Sequence, residues 1–230
     1  MGVTATESTS PVGTLDFHFF IGSTYTYLSV SRASALAAAA GVRLNWRPYS
    51  LRTILREQDN SPFLGKPDKL RYMWRDIERR AARFGLPFAG TVPYPIDPES
   101  RASHVATLAQ AEGWCEPFVR EVFRTWFLDR VDPGSPEALA GIVARLGQPV
   151  DVLARAELPE VVARYAANTV DARARDVFGS PSFVAADGEV FWGDDRLEEA
   201  LEWVRGHHLA PAGAVRPHAL RRPGQRPDAT

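Results

Sequence analysis

Two stretches of β-forming sequence stand near opposite ends of the chain, with a long helical stretch between them, and this spacing limits the fold more than any other feature. The first begins with Leu15-Asp16-Phe17-His18-Phe19-Phe20-Ile21, an aromatic and β-branched run of the kind found in buried strands. Gly22-Ser23-Thr24 follows. Residues 25–40, rich in Ala and Leu, then read as one helix, with an N-cap candidate in front and Gly41 placed to close it. Residues 42–49 alternate apolar and polar at their start, as a half-buried strand does. Strand, helix and strand within ~30 residues make a βαβ unit. At the far end, residues 182–186 read as a strand, Asp187-Gly188 as a hairpin turn and 189–192 as a second strand. Gly193-Asp194-Asp195 then caps a last helix over 196–204.

The stretch between is helical. Leu70, Met73, Trp74, Ile77 and Ala81 recur at helical spacing, and Gly85 and Pro87 end that helix. A weaker helix covers 100–112. Residues 117–129 carry Phe118, Val122, Phe123, Trp126 and Phe127 on a broad apolar face. Ser135-Pro136-Glu137 opens a helix that Gly147 closes, and a long helix over 159–178 ends at Gly179. The order βαβ, helical block, α, ββ, α is an α/β class: the thioredoxin-like topology with a helical domain inserted after the second strand. The boundaries read as 14–50 for the first part of the thioredoxin-like domain, 51–157 for the insertion and 158–206 for the second part. Residues 1–13, rich in Thr and Ser, and 207–230, with scattered Gly, Pro and Arg, read as disordered tails.

Composition narrows the chemistry. A net charge of −1 gives no electrostatic reason to expect nucleic acid or an anionic membrane as partner. No apolar run approaches the ~20 residues of a membrane span. The N-terminus lacks a signal-peptide pattern, so a cytoplasmic location is the expectation. The one cysteine, Cys115, excludes an intrachain disulfide and any metal site with two thiolates, and reads as an inert buried thiol. No metal is expected.

Three segments resemble one family. Asp16-Phe17-His18-Phe19-Phe20-Ile21-Gly22-Ser23-Thr24-Tyr25-Thr26-Tyr27-Leu28 resembles the strand-to-helix junction of the 2-hydroxychromene-2-carboxylate isomerases and kappa-class glutathione transferases, which are DsbA-like thioredoxin folds. Asn60-Ser61-Pro62, Lys69 and Tyr72, with Gly85-Leu86-Pro87 beyond, is similar to that family's Asn…Pro…Lys-x-x-Tyr helix. Val177-Phe178-Gly179-Ser180-Pro181-Ser182-Phe183-Val184 and Phe191-Trp192-Gly193-Asp194-Asp195-Arg196-Leu197 resemble its Val-Phe-Gly-Val-Pro-Thr-Phe and Phe-Trp-Gly-x-Asp-Arg-Leu. The likeness runs from residue 15 to about 205.

The resemblance implies a glutathione site. Disulfide oxidoreductases carry two cysteines at the start of the first helix, where the helix end favours a thiolate. Here the four residues are Ser23-Thr24-Tyr25-Thr26, so dithiol exchange is excluded, while a hydroxyl remains that can donate to a thiolate and lower its pKa. Ser23 is thus the implied catalytic residue. Asn60, Lys69, Ser180, Pro181, Asp194 and Asp195 are the implied glutathione contacts, with Ser180-Pro181 a cis peptide, Lys69 facing the glycyl carboxylate and the aspartates facing the γ-glutamyl end. Lys66 competes with Lys69. Tyr25 and Arg101 are the substrate contacts, Arg101 being favoured over Arg52 because it follows the loop over 93–98. Thr24, Phe20 and Gly22 depart from the family pattern around the thiol position.

The implied activity is a glutathione-dependent cis–trans isomerisation of an unsaturated, aromatic or polyketide-like ketone or acid, by reversible thiol addition. The rival readings are a kappa-like transferase releasing stable conjugates and a non-catalytic thioredoxin-like binding module. The small-molecule substrate is the implied partner, with a homodimer as the family's common assembly.

Overall fold

The computed structural model describes residues 11–206. Strand β1 (Gly13–Phe19) lies at the centre of a four-stranded sheet of order β2-β1-β3-β4. It runs parallel to β2 (Val42–Pro48) and antiparallel to β3 (Ser182–Ala185), which pairs antiparallel with β4 (Val190–Trp192). The register sets Phe17 opposite both Trp46 and Phe183, and Phe183 opposite Phe191. Residues two apart share a face, so Leu15, Phe17 and Phe19 point to one side. Phe17 packs there at 4.9 Å from Trp46 and 5.0 Å from Phe183. Each such buried ring contributes about 1.5–3 kcal/mol. Strand β1 begins inside the segment expected to be disordered, because Val12 N–H donates to the Gly41 carbonyl at 2.8 Å and draws the chain into register. The remaining tail expectations, for 1–10 and 207–230, lie outside the described residues.

The helix expected over 25–40 is two helices, α1 (Thr26–Val30) and α2 (Ala33–Ala40). The break has a local cause. Ser31 Oγ adds to the backbone bond on the Tyr27 carbonyl at 2.9 Å, while Arg32 Nε takes the Leu28 carbonyl at 3.1 Å and the Arg32 N–H goes to the Ser29 carbonyl at 3.0 Å instead, a tighter step that ends the turn. Gly41 closes α2 in the left-handed region, as its position foretold.

The helical block after β2 comprises α3 (Leu51–Glu57), α4 (Pro67–Arg83), α5 (Arg101–Glu112), α6 (Cys115–Phe127), α7 (Pro136–Arg145) and α8 (Val152–Ala156). Helix α5 gave only a weak period because every residue from 102 to 109 is buried, leaving no polar face to alternate with. The block shares one core with the sheet. Tyr27 of α1 stacks flat on Phe127 of α6 at 4.1 Å, and the Tyr27 hydroxyl donates to the Pro87 carbonyl. Cys115 is buried in that core.

Helix α9 (Pro159–Ala174) covers the opposite sheet face and ends before Gly179. Asp176 adopts φ 58°, and Val177 N–H reaches back to the Ala172 carbonyl at 3.0 Å, closing the helix early. Gly179 has another reason to be glycine: a Cβ there would lie 2.2 Å from Trp192 Nε1. A single 3₁₀ turn, Asp194–Arg196, leads into α10 (Leu197–Val204). Among the described residues, no helix is long and apolar enough to cross a membrane.

Candidate active site

The C-terminal end of β1, the start of α1 and the loop before β3 meet at one point. Phe20 N–H donates to Ser180 Oγ at 2.8 Å, and the Thr26 and Ser180 hydroxyls lie 2.8 Å apart. Between Phe20 and Thr26 the chain makes a tight turn, with Ser23 N–H on the Phe20 carbonyl at 3.0 Å. The Ser23 side chain does not cap the helix. Helix α1 starts three residues later, with Tyr25 in the cap position and no side-chain cap bond. Ser23 Oγ donates instead to the Ser180 carbonyl at 2.7 Å.

The Ser180–Pro181 peptide is cis. Its loop is fixed from several sides: Tyr49 Oη and Ser182 Oγ both donate to the Gly179 carbonyl, at 2.6 and 2.7 Å, and Gly193 N–H donates to the Pro181 carbonyl at 3.0 Å. Burial raises the Tyr49 hydroxyl pKa, which keeps it a donor. No acceptor for the Ser180 N–H is found among the described residues.

The residues departing from the family pattern are coupled. Thr24 is buried and its hydroxyl donates to Met73 Sδ at 3.1 Å, tying the turn to α4. The Phe20 ring folds back over Gly22, where a Cβ would lie 2.5 Å from a ring carbon. With this ring position at 20, any side chain at 22 would have to push the Phe20 ring aside.

The remaining sequence-predicted residues differ in what their side chains meet. Tyr25 stands in the turn, but its hydroxyl donates to Asp76 at 3.1 Å; burial and that carboxylate raise its pKa. Asp194 is buried and turned inward, with Arg80 at 2.7 Å on its carboxylate and Arg32 Nη2 on its carbonyl at 3.0 Å. Burial raises the Asp194 pKa to about 6 despite Arg80. Its carboxylate is spent on the fold, which corrects the expectation that both aspartates face a ligand; Asp195 is the exposed one. Asn60 is exposed, and Lys69 is exposed with its ammonium 5.6 Å over the Phe63 ring. Lys66, the competitor, donates to the Ser61 carbonyl at 2.9 Å. Arg101 pairs with Glu99. Arg52 instead reaches over Phe20, with its guanidinium carbon 5.3 Å from the ring centroid.

Sequence reasoning missed the Ser180 hydroxyl as a junction. The signal was a polar residue where the resembling family carries valine. It also ranked Arg52 below Arg101, because the return of the 93–98 loop onto α3 is a long-range fact. Two cavities, of about 310 and 430 Å³, open elsewhere, one beneath α9 and one along β2, and neither touches Ser23. Among the described residues no cluster of His, Cys, Asp and Glu could hold a metal ion.

The chain has relatives among known proteins. The chain is 27% identical to a 2-hydroxychromene-2-carboxylate isomerase of Sphingobium xenophagum over 80% of its length and 94% of that protein's. A solved 2-hydroxychromene-2-carboxylate isomerase superposes with a TM-score of 0.74 at 26% identity, covering 84% of this chain and 95% of that one. A cytosolic disulfide reductase of Pseudomonas aeruginosa, solved with GSH, shares the fold at TM-score 0.56 and 15% identity, over 84% and 96% of the two chains. The family model described as the DSBA-like thioredoxin domain matches residues 14–204, which spans the sheet, the helical insertion and the cis-proline loop, and the chain belongs to that family.

Proposed function

We propose that this protein is a glutathione-dependent cis–trans isomerase in which Ser23 positions the thiol. The observation that carries the reading is the Ser23 hydroxyl, 2.7 Å from the Ser180 carbonyl beside the cis-proline, in a turn with no cysteine. The likeness to isomerases of 2-hydroxychromene-2-carboxylate supports it.

The residues present suit glutathione. The N–H of Ser180 would take the cysteinyl carbonyl, as a strand edge takes a partner. Lys69, with no carboxylate in ion-pair range among the described residues, would take the glycyl carboxylate, with Asn60 beside it. Asp195 would take the γ-glutamyl ammonium, while the Asp194–Arg80 pair holds the turn that presents it. Glutathione, when bound, supplies a thiolate that adds to a conjugated double bond and leaves again after rotation about the bond. The Ser23 hydroxyl would turn from the Ser180 carbonyl toward the sulfur and donate to its charged form, which would lower the thiol pKa.

Incubation with glutathione and 2-hydroxychromene-2-carboxylate tests this. The expected result is a changed double-bond geometry with no net mass gain. Ser23→Ala should cost well over tenfold in rate with the melting temperature kept. A stable conjugate of increased mass would make the protein a transferase instead, and a fully active Ser23→Ala would remove Ser23 from the mechanism. No glutathione-induced rise in melting temperature, with no turnover, would leave a binding module.

A further inference from the structure

Arg52 stands apart from the other arginines. Among the described residues it is the one that is not exposed and yet has no carboxylate within ion-pair distance. Arg32, Arg47, Arg80, Arg101, Arg124 and Arg155, also not exposed, each have one. Asp97, the nearest acid along the loop that Arg52 contacts, spends its carboxylate on the Ala102 and Ser103 N–H groups and the Ser103 hydroxyl. The Arg52 guanidinium is held by carbonyls alone: Nη2 donates to Ile96 at 3.0 Å, and Nη1 to Asp97 at 3.1 Å and Pro98 at 3.5 Å. A guanidinium has five N–H groups. The Nε–H and one Nη2 hydrogen therefore have no partner among the described residues. Those two hydrogens match the spacing of a carboxylate in a bidentate pair.

The position of this group is specific. The guanidinium lies over Phe20, the ring that folds onto Gly22 next to Ser23. Tyr94, whose hydroxyl feels the Arg52 charge, meets Phe63 at 5.9 Å and Trp74 at 6.0 Å, edge to face. Trp74 in turn lies 6.5 Å from Phe127, which stacks on Tyr27 of α1 at 4.1 Å. The unpaired Arg52 thus stands over Phe20 at the border of a half-buried aromatic cluster that runs through Phe127 to Tyr27 of α1, with the exposed Lys69 over Phe63 as a second unpaired cation.

We infer that Arg52 is the specificity-determining residue for a carboxylate-bearing, flat, conjugated substrate, its free fork taking the carboxylate while the aromatic side chains take the conjugated part. This rests on the isomerase reading and assigns to Arg52 the role that sequence reasoning gave to Arg101.

The test is binding, not turnover, so that it separates from failure of the isomerase reading. trans-Cinnamate and methyl cinnamate are titrated into the full-length protein, followed by tryptophan fluorescence and calorimetry, with and without glutathione. The expected result is at least tenfold tighter binding of the acid, a preference that weakens with salt. Arg52→Met should abolish the preference while leaving the glutathione-induced melting shift and the ester affinity unchanged. Arg52→Lys, which keeps the charge and loses the fork, should retain part of it. Arg101→Met should leave it intact. Equal binding of acid and ester by the wild type would overturn the inference, as would an undiminished preference in Arg52→Met. Acid preference without any glutathione effect would retain Arg52 as an anion anchor and discard the thiol chemistry.

Discussion

The hydroxyl of Ser180 receives the Phe20 N–H and lies 2.8 Å from the Thr26 hydroxyl, so one small side chain joins the end of β1, the start of α1 and the cis-proline loop. Ser180→Ala leaves the Phe20 N–H unpaired in a buried place and should cost ~1–3 kcal/mol, read from urea unfolding. Two titrating groups give a second expectation. Burial holds the His18 imidazole at about 4 against an ordinary 6.5, and neither ring nitrogen finds a partner. The unfolded chain binds that proton more tightly, so the His18 contribution is full above pH 6.5 and fades as pH falls through 4. Asp194, raised by burial from 3.8 to about 6, behaves oppositely: its contribution is full below about 3.8 and fades as pH rises through 6. Between pH 4 and 6 the two slopes oppose each other. The stability of His18→Phe relative to wild type should therefore fall as pH rises through that window, and that of Asp194→Asn should climb; parallel curves for wild type and both variants would refute the pairing. At this scale the sequence supplied the serine and the aspartate pair. Which aspartate turns inward depends on Arg80, from a distant helix, and no local pattern encodes that.

Among the elements, α5 shows where local reading stops. Its preceding residue Ser100 sits at φ 61° and makes no side-chain cap bond. The cap is Asp97, at φ 49°, whose carboxylate takes two N–H groups of the first turn and is held in place by Asp132 accepting the Asp97 N–H at 3.1 Å. Asp97→Ala should lower stability by about 2 kcal/mol, whereas Ser100→Gly should be neutral or stabilising because the left-handed backbone suits glycine; thermal melts of both variants check this. The turn from Phe20 to Gly22 permits a similar test. Gly22→Ala forces the Phe20 ring aside and should cost ~1–3 kcal/mol, a loss that Phe20→Leu in the same chain should partly relieve. Strands β1 to β4, the βαβ unit and the glycine stop of α2 were legible because alternation and turn residues are local signals. The division of 25–40 into two helices was not, because it follows from Ser31 and Arg32 bonding to helix carbonyls. The early end of α9 was hidden as well, since Gly179 looked like a stop and serves instead to admit Trp192.

In the whole molecule, the helical insertion and the sheet form one apolar core, and polar ties cross between them at Thr24–Met73, Tyr25–Asp76 and Arg80–Asp194. Such sharing predicts a single unfolding transition, with far-ultraviolet circular dichroism and tryptophan fluorescence coinciding. Separate midpoints for the two probes would show that the insertion melts on its own. The order of elements was enough to place the insertion after β2, while its clamping onto the sheet rests on contacts that no spacing announces. Cys115 belongs to that shared core. It is buried, its thiol pKa is raised by burial, and it is the sole sulfhydryl of the chain. A maleimide or a disulfide reagent therefore meets a silent protein while the core is closed and one reactive group when it opens, so the rate of single-site labelling becomes a direct clock for the opening of the insertion against the sheet, with no engineered probe.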